Sequence, residues 1–219
     1  MGEEYGFSVD QLMELAGLAV AKVCHRQHPP VASKKVLLLV GPGNNGGDGL
    51  VTARHLKHYG YLPHILYPKQ PQKDLYIRLT KQCKTLEIPV ESSVEEFKKN
   101  QMNEDWELIV DSLFGFSFKP PVRSPFDELL PAMIELSKKI PVVAVDIPSG
   151  WDVDNGPGEF AHFQPATLVS LTSPKLGALG FKGNHWLGGR FVPASLEKKF
   201  ELNLPNYPGA DDIVLLPSE

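Results

Sequence analysis

The segment Val36 to Leu50, VLLLVGPGNNGGDGL, constrains this chain more than any other stretch. An apolar run empties into five glycines, with two asparagines and an aspartate among them. LVTARHLKHYG then continues with helical spacing. A strand, a glycine-rich turn and a helix N-terminus in that order make a ready site for an anionic group. Backbone N–H groups point outward there and no Cβ atoms hold a ligand off. A small-molecule site is therefore expected near residue 45.

The rest of the chain supplies a frame for that site. Ser8-Val9-Asp10-Gln11 reads as a capping box, and the apolar face Leu12, Leu15, Ala16, Ala19, Val23 carries a helix to about His25 before Pro29 and Pro30. Lys35 to Val40 reads as a buried strand, followed by a helix from about Asp48 to Tyr59 with Gly60 as its left-handed cap. A second strand is expected at Leu62 to Tyr67 and a helix at Asp74 to Leu86, with Ile77 on its apolar face. Ile88 to Val90 and Val94 to Asn100 read as a short strand and a short polar helix. Trp106 to Asp111 and Pro141 to Val145 read as strands that run into the acids Asp111 and Asp146, with a helix at Pro125 to Lys139 between them. Thr167 to Thr172 and Gly189 to Val192 complete the strands, and the proline-rich tail after Leu204 is expected to wrap the surface. Strands alternating with helices at this pace mean a parallel sheet covered on both faces, here expected as one domain spanning residues 1–219.

In open α/β sheets, ligands bind outside the carboxyl ends of the strands. The glycine turn, Asp111 and Asp146 all sit at such ends, so the three can converge on one crevice. Its chemistry is bounded by exclusion. Gly41-Pro42-Gly43-Asn44-Asn45-Gly46 fits G-x-G-x-x-G, but the second strand ends in Tyr67-Pro68-Lys69, with no acid to hold a ribose. That counts against an ordinary nicotinamide-dependent oxidoreductase. Gly47 and Asp48 stand where a P-loop requires Lys and Ser/Thr. Asp48 is open to two compatible readings, a helix N-cap or a ligand for a hydroxyl or cation. Asp111 precedes a loop carrying Phe114, Phe116 and Phe118, which look exposed, and Asp146 opens the fixed turn DIPSG. A lone acid after a strand is usually a turn former, whereas two beside a glycine turn point to a site. With Asn45 and Ser149 they offer an oxygen-only pocket, suited to a weakly charged cation rather than zinc.

The remaining features are plainer. A formal charge of −4 and pI near 6.0 argue against a nucleic-acid surface. No stretch approaches the ~18 apolar residues of a membrane span, and the start lacks a signal-peptide pattern. Cys24 and Cys83 read as reduced, buried thiols, which fits an intracellular compartment. His55 and His58 lie at i, i+3 with no third ligand and read as a solvated face.

GPGNNGGDGLVTARHL, VDSLFGFSFKPPVR, VDIPSGWDV, SLTSPK and LGGRFVP occur in the order and spacing of the YjeF N-terminal domain. From FSVDQLMELAG to ELNLPNYPG the chain resembles the NAD(P)H-hydrate epimerases, whose vertebrate member is also called apolipoprotein A-I-binding protein. The resemblance implies a Rossmann-like three-layer α/β/α sandwich, usually a homodimer, that interconverts the R and S forms of hydrated NADH or NADPH. It implies that Asn44, Asn45, Gly46, Gly47 and Asp48 contact the substrate's phosphates. Gly115, Phe116, Ser117, Phe118, Lys119, Pro120, Pro121 and Asp146 would enclose the rest of it. Asn45, Asp111 and Ser149 would bind a potassium ion. Asp146, from its strand-end position, is the expected proton carrier, with Lys119 and a bound water as rivals. Some relatives have Gly-Asp where this chain has Pro120-Pro121, which removes two backbone donors and a carboxylate and predicts a stiffer loop. The expected location is cytoplasmic, or mitochondrial should a targeting segment precede this chain. A second reading keeps the fold without catalysis, as a binding module for an ADP-ribose-type nucleotide or a protein.

Overall fold

The computed structural model describes residues 2–30, 34–102 and 104–217. In chain order its elements are α1 (Gly2–Tyr5), α2 (Val9–Gln27), β1 (Lys35–Val40), α3 (Asn44–His58), β2 (Leu62–Leu66), α4 (Asp74–Thr85), β3 (Val90–Glu91), α5 (Val94–Asn100), β4 (Leu108–Ser112), α6 (Phe126–Ser137), β5 (Val142–Val145), β6 (Thr167–Leu171), β7 (Asn184–Gly188), α7 (Ala194–Phe200) and β8 (Ile213–Leu215). The eight strands form one sheet in the order β3-β2-β1-β4-β5-β6-β7-β8, parallel except for the antiparallel β7–β8 pair.

Successive side chains of a strand point to opposite faces, and β1 shows how this makes three layers. Val36, Leu38 and Val40 pack with apolar residues of α2, α3 and α4, including Val20, Leu50 and Leu79. Leu37 and Leu39 face the other way, against Phe97 of α5 and Leu129 and Met133 of α6. Both faces of β1 are thus buried, as its unbroken apolar run requires.

The helix α2 begins on the expected capping box: Ser8 Oγ accepts from Gln11 N and Gln11 Oε1 accepts from Ser8 N. Several expectations need correction. The helix after β1 starts at Asn44, four residues before the expected Asp48, with Gly43 as its cap. Asp48 is therefore not an N-cap. No strand forms at Gly189 to Val192; the strand there is Asn184–Gly188, and Gly189 turns with φ 87°. The tail does more than wrap the surface, because Ile213–Leu215 adds an antiparallel edge strand. Ile77 is 46% exposed. His55 is not solvated: Nε2 lies 2.8 Å from Glu14 Oε1, in a cluster that includes Arg54.

Strand order reverses between β1 and β4, whose neighbours in sequence lie on opposite sides. Such a switch point leaves a crevice at the strands' carboxyl ends. The glycine turn follows β1, Asp111 is the penultimate residue of β4, and Asp146 follows β5.

Candidate active site

A cavity of about 860 Å³ opens at that edge, within the roughly 300–1,000 Å³ usual for small-molecule sites. Its floor is the start of α3, and its walls are the first turns of α2, the loop from Leu113 to Ser124 and the turn after β6. Asn44, Asn45, Asp48, Gly115, Phe116, Ser117, Phe118, Lys119, Pro121 and Asp146 all line it. Gly46, Gly47 and Pro120 do not; Asp111 and Ser149 lie buried beneath it.

The glycines turn out to serve the protein's own packing more than ligand approach. A Cβ on Gly41 would sit 1.7 Å from Leu113 O, and one on Gly46 would sit 1.9 Å from Gly41 O. Gly47 lies against the Met13 side chain. Only at Gly43, among the glycines of this turn, is there open space. The close approach draws α3 down onto the ends of β1 and β4, which brings its N-terminus into the cavity. Gly47 N is the first helical donor, bonding to Gly43 O at 3.1 Å. The N–H groups of Asn44, Asn45 and Gly46 have no protein acceptor among the described residues. The helix start therefore presents unsatisfied donors and the positive end of its dipole.

The two strand-end aspartates have different surroundings. Asp111 is fully buried; its Oδ1 accepts from Ser149 Oγ at 2.6 Å and Leu113 N at 3.3 Å, and its Oδ2 accepts from Ser149 N at 2.8 Å. Among the described residues no cationic side chain pairs with it, and burial pushes its carboxyl up to about 6 against those hydrogen bonds. Ser149 Oγ also accepts from Phe114 N at 3.0 Å. Beside this cluster the Asn45 amide packs against Gly115, with its Nδ2 buried and without a hydrogen-bond partner among the described residues. A half-turn of the amide would place an oxygen there instead. A buried carboxylate without a counter-charge, a hydroxyl and an orphaned amide form a donor set that fits a monovalent cation. Zinc-type sites lack a basis: among the described residues no three His, Cys, Asp or Glu side chains cluster.

Asp146, by contrast, faces the cavity and is paired. Its Oδ2 accepts from Phe116 N at 2.9 Å, and its Oδ1 meets the Lys175 ammonium. Asp146 and Thr172 hold φ of 71° and 69°, a left-handed backbone that costs on the order of 1–3 kcal/mol outside glycine. Both line the cavity, at the ends of adjacent strands. Burial first, and Asp146 next, push the Asp48 carboxyl well above the usual carboxylate range, with Lys175 opposing. Among the described residues the Asp48 side chain has no ion pair.

The loop after β4 is fastened at its base by the bonds from Phe114 N to Ser149 and Phe116 N to Asp146. The rings of Phe114 and Phe118 stack at 4.6 Å, so these two are half-buried rather than exposed, while Phe116 is 63% exposed at the mouth. Lys69, Lys119, Arg123 and Lys175 make the lining net cationic against Asp48 and Asp146.

The expected site residues are joined by others to which the sequence reading gave no role, although Thr172 and Lys175 lie in its SLTSPK motif. Lys175 and Thr172 follow β6, at the same strand edge as Asp111 and Asp146, so the rule that flagged those acids applies to them equally. Tyr76 reaches from α4 to donate to Asn44 Oδ1 at 2.8 Å, a contact with no local signature.

Residues 9–177 match the model of the YjeF-related protein N-terminus. The chain belongs to that family. A Cryptococcus neoformans protein named NAD(P)H-hydrate epimerase is 50% identical over 99% of this chain and 92% of its own length. A Schizosaccharomyces pombe protein of the same name is 53% identical, over 95% and 86%. The crystal structure of the yeast protein ynu0 superposes with a TM-score of 0.93 at 42% identity, covering 99% of this chain and 93% of that one. Residues 9–177 contain the cavity lining apart from Phe191, while strands β7 and β8 lie beyond them.

Proposed function

We infer that this protein is an NAD(P)H-hydrate epimerase, interconverting the R and S forms of hydrated NADH or NADPH. The observation that carries the reading is the meeting, in one cavity, of a donor-rich helix start and an acid held at a strand end. The N–H groups of Asn44 and Asn45 suit a pyrophosphate, and Lys69, Lys119 and Arg123 add positive charge around it. Gly47, whose N–H is spent within the helix, supports this turn rather than touching the ligand. Phe116 and Phe118, with Gly115, Ser117, Lys119 and Pro121, form the wall for the hydrated ring, and Pro120 stiffens it.

Hydrated NADH carries a hydroxyl on the carbon beside the ring nitrogen. Protonation of that hydroxyl lets the nitrogen lone pair expel water, leaving a C=N⁺ cation. Water returning to the opposite face loses a proton and completes the inversion. Asp146, loaded with a proton from solvent water, gives the first proton and, once more the carboxylate paired with Lys175, takes the second, a role worth typically ~10²–10⁴-fold. Asn45, Asp111 and Ser149 would hold a potassium ion, which when bound supplies the positive charge missing beside Asp111 and fixes the floor of the site.

A mixture of R and S hydrates incubated with a dehydratase that consumes only S tests the assignment. This protein should speed the disappearance of R. Persistence of R would leave the non-catalytic nucleotide-binding reading. We also propose a homodimer, to be read by sedimentation, and a cytoplasmic location, consistent with two free, buried cysteines, both held near pKa 12 by burial. Among the described residues no helix is long and apolar enough to cross a membrane.

A further inference from the structure

We propose that Lys175 is a positioning residue for the epimerisation, fixing the Asp146 carboxylate and, through it, the Phe116 loop; this rests on the epimerase reading above. A lysine ammonium has three protons to donate. Here Nζ gives one to Leu171 O at 2.9 Å, one to Ser173 O at 3.1 Å and one to Asp146 Oδ1. Nothing is left for a substrate. The side chain is only 16% exposed, so this arrangement is enclosed rather than a solvated surface pair. Lys175 therefore acts on the reaction through Asp146.

What it does there follows from the charges in the cavity. When Asp146 releases its proton to the departing hydroxyl, a carboxylate forms in a confined space, where Asp146 is itself almost fully buried. Loss of water around the new charge disfavours that step. The ammonium offsets the new negative charge at a fixed distance and needs no rearrangement when the charge appears. The other carboxylate oxygen is occupied by Phe116 N, so rotation of the group is blocked at both ends. The remaining lone pairs are held at one angle while the aromatic wall is kept beside them. Leu171 O and Ser173 O, which anchor Nζ, flank the left-handed Thr172, so that backbone strain coincides with the lysine's seat.

The coupled assay reads the consequence. Lys175→Met should lower kcat by ~10²-fold or more while KM stays within about threefold. Lys175→Arg, which keeps the charge, should recover at least about tenfold of the loss. Lys175→Met combined with Asp146→Asn should be no slower than Asp146→Asn alone, because the lysine has nothing left to position. Should Lys175→Met fail to fold by circular dichroism, Lys175→Gln takes its place in the same comparison. Unchanged kcat, a loss confined to KM, no rescue by arginine, or a double variant slowed by the product of the single losses would each overturn the proposal. A wild-type protein that leaves the R form untouched would instead sink the epimerase reading itself.

Discussion

Asp111 and Asp146 end neighbouring strands of one sheet, yet the fold treats them oppositely. Asp111 is sealed under the cavity, braced by three hydrogen bonds and, among the described residues, given no cationic partner. Asp146 lines the cavity, holds a left-handed backbone and is paired with Lys175. The same residue type at the same edge thus serves two purposes: one carboxylate prepares a place for a bound charge, the other is presented to a reacting molecule. Sequence position brought both to the crevice, and their neighbours divided the work.

The largest effect should come from Asp146. Asp146→Asn keeps the shape and tolerates the left-handed backbone, so its thermal midpoint should stay within a few degrees of wild type while kcat falls ~10²–10⁴-fold. A variant with full activity would reduce Asp146 to a binding residue and dissolve the contrast. The corresponding change at Asp111 should show itself in cation dependence rather than in the proton-transfer step.

The second test isolates Asp111 by its charge. Its carboxyl is raised to about 6, so the folded protein holds this proton more tightly than the unfolded chain does. Without a cation, stability should therefore fall as pH rises from about 4 to 6 and stay lowered above that. The deficit is on the order of 3 kcal/mol, at roughly 1.4 kcal/mol per pH unit of displacement. Potassium should restore stability above pH 6 and do little at pH 4, where Asp111 of the folded protein is protonated and offers a cation no negative charge. Urea melts in potassium and in tetramethylammonium chloride at matched ionic strength measure this directly. Equal stability in the two salts at pH 8 would remove the cation from the site.

A smaller effect is expected at Ser149. Replacing it with alanine leaves Asp111 with one donor fewer and Phe114 N without its acceptor, a cost of about 1–3 kcal/mol. Because the same hydroxyl ties the loop after β4, Ser149→Ala should also raise KM. A change in stability with no change in KM would show that the loop is held from Asp146 alone.

How much of this was legible beforehand depends on range. The strand Lys35–Val40 and the capping box at Ser8 were readable to the residue, because periodicity and capping act over a few positions. The convergence of the glycine turn and two acids followed from a topological rule. The purpose of the glycines did not, because the atoms that Gly41 and Gly46 must clear belong to Leu113 and to the turn itself in three dimensions. The start of α3 was misplaced for the same reason: glycine is a poor helix former, and only tertiary packing makes Asn44 to Gly47 helical. Strand β8 was lost in a proline-rich tail, since an edge strand of three residues needs only one neighbour and leaves little pattern. Lys175 lay inside the SLTSPK motif but had no role there, because nothing local in the sequence shows the three acceptors that its ammonium meets.

The last effect, the smallest in wild type because two slopes oppose, sharpens the comparison by setting a second group against Asp111. His185 on β7 stands 2.9 Å from Ser170 Oγ, and burial, aided by Lys175, pushes it down to about 4. Between pH 4 and about 6.5 the unfolded chain binds this proton and the folded protein does not. His185 thus contributes stability that is full above pH 6.5 and is lost as pH falls towards 4. Asp111 without a cation gives the opposite slope over nearly the same interval, so the two should largely cancel and leave a flat profile. Potassium cancels only the Asp111 contribution. Adding it should therefore make stability fall more steeply with acid between pH 6.5 and 4, and His185→Gln in potassium should flatten the curve again. If potassium left the slope unchanged in wild type while His185→Gln still flattened it, the histidine would stand as described and the charge assigned beneath the cavity would not.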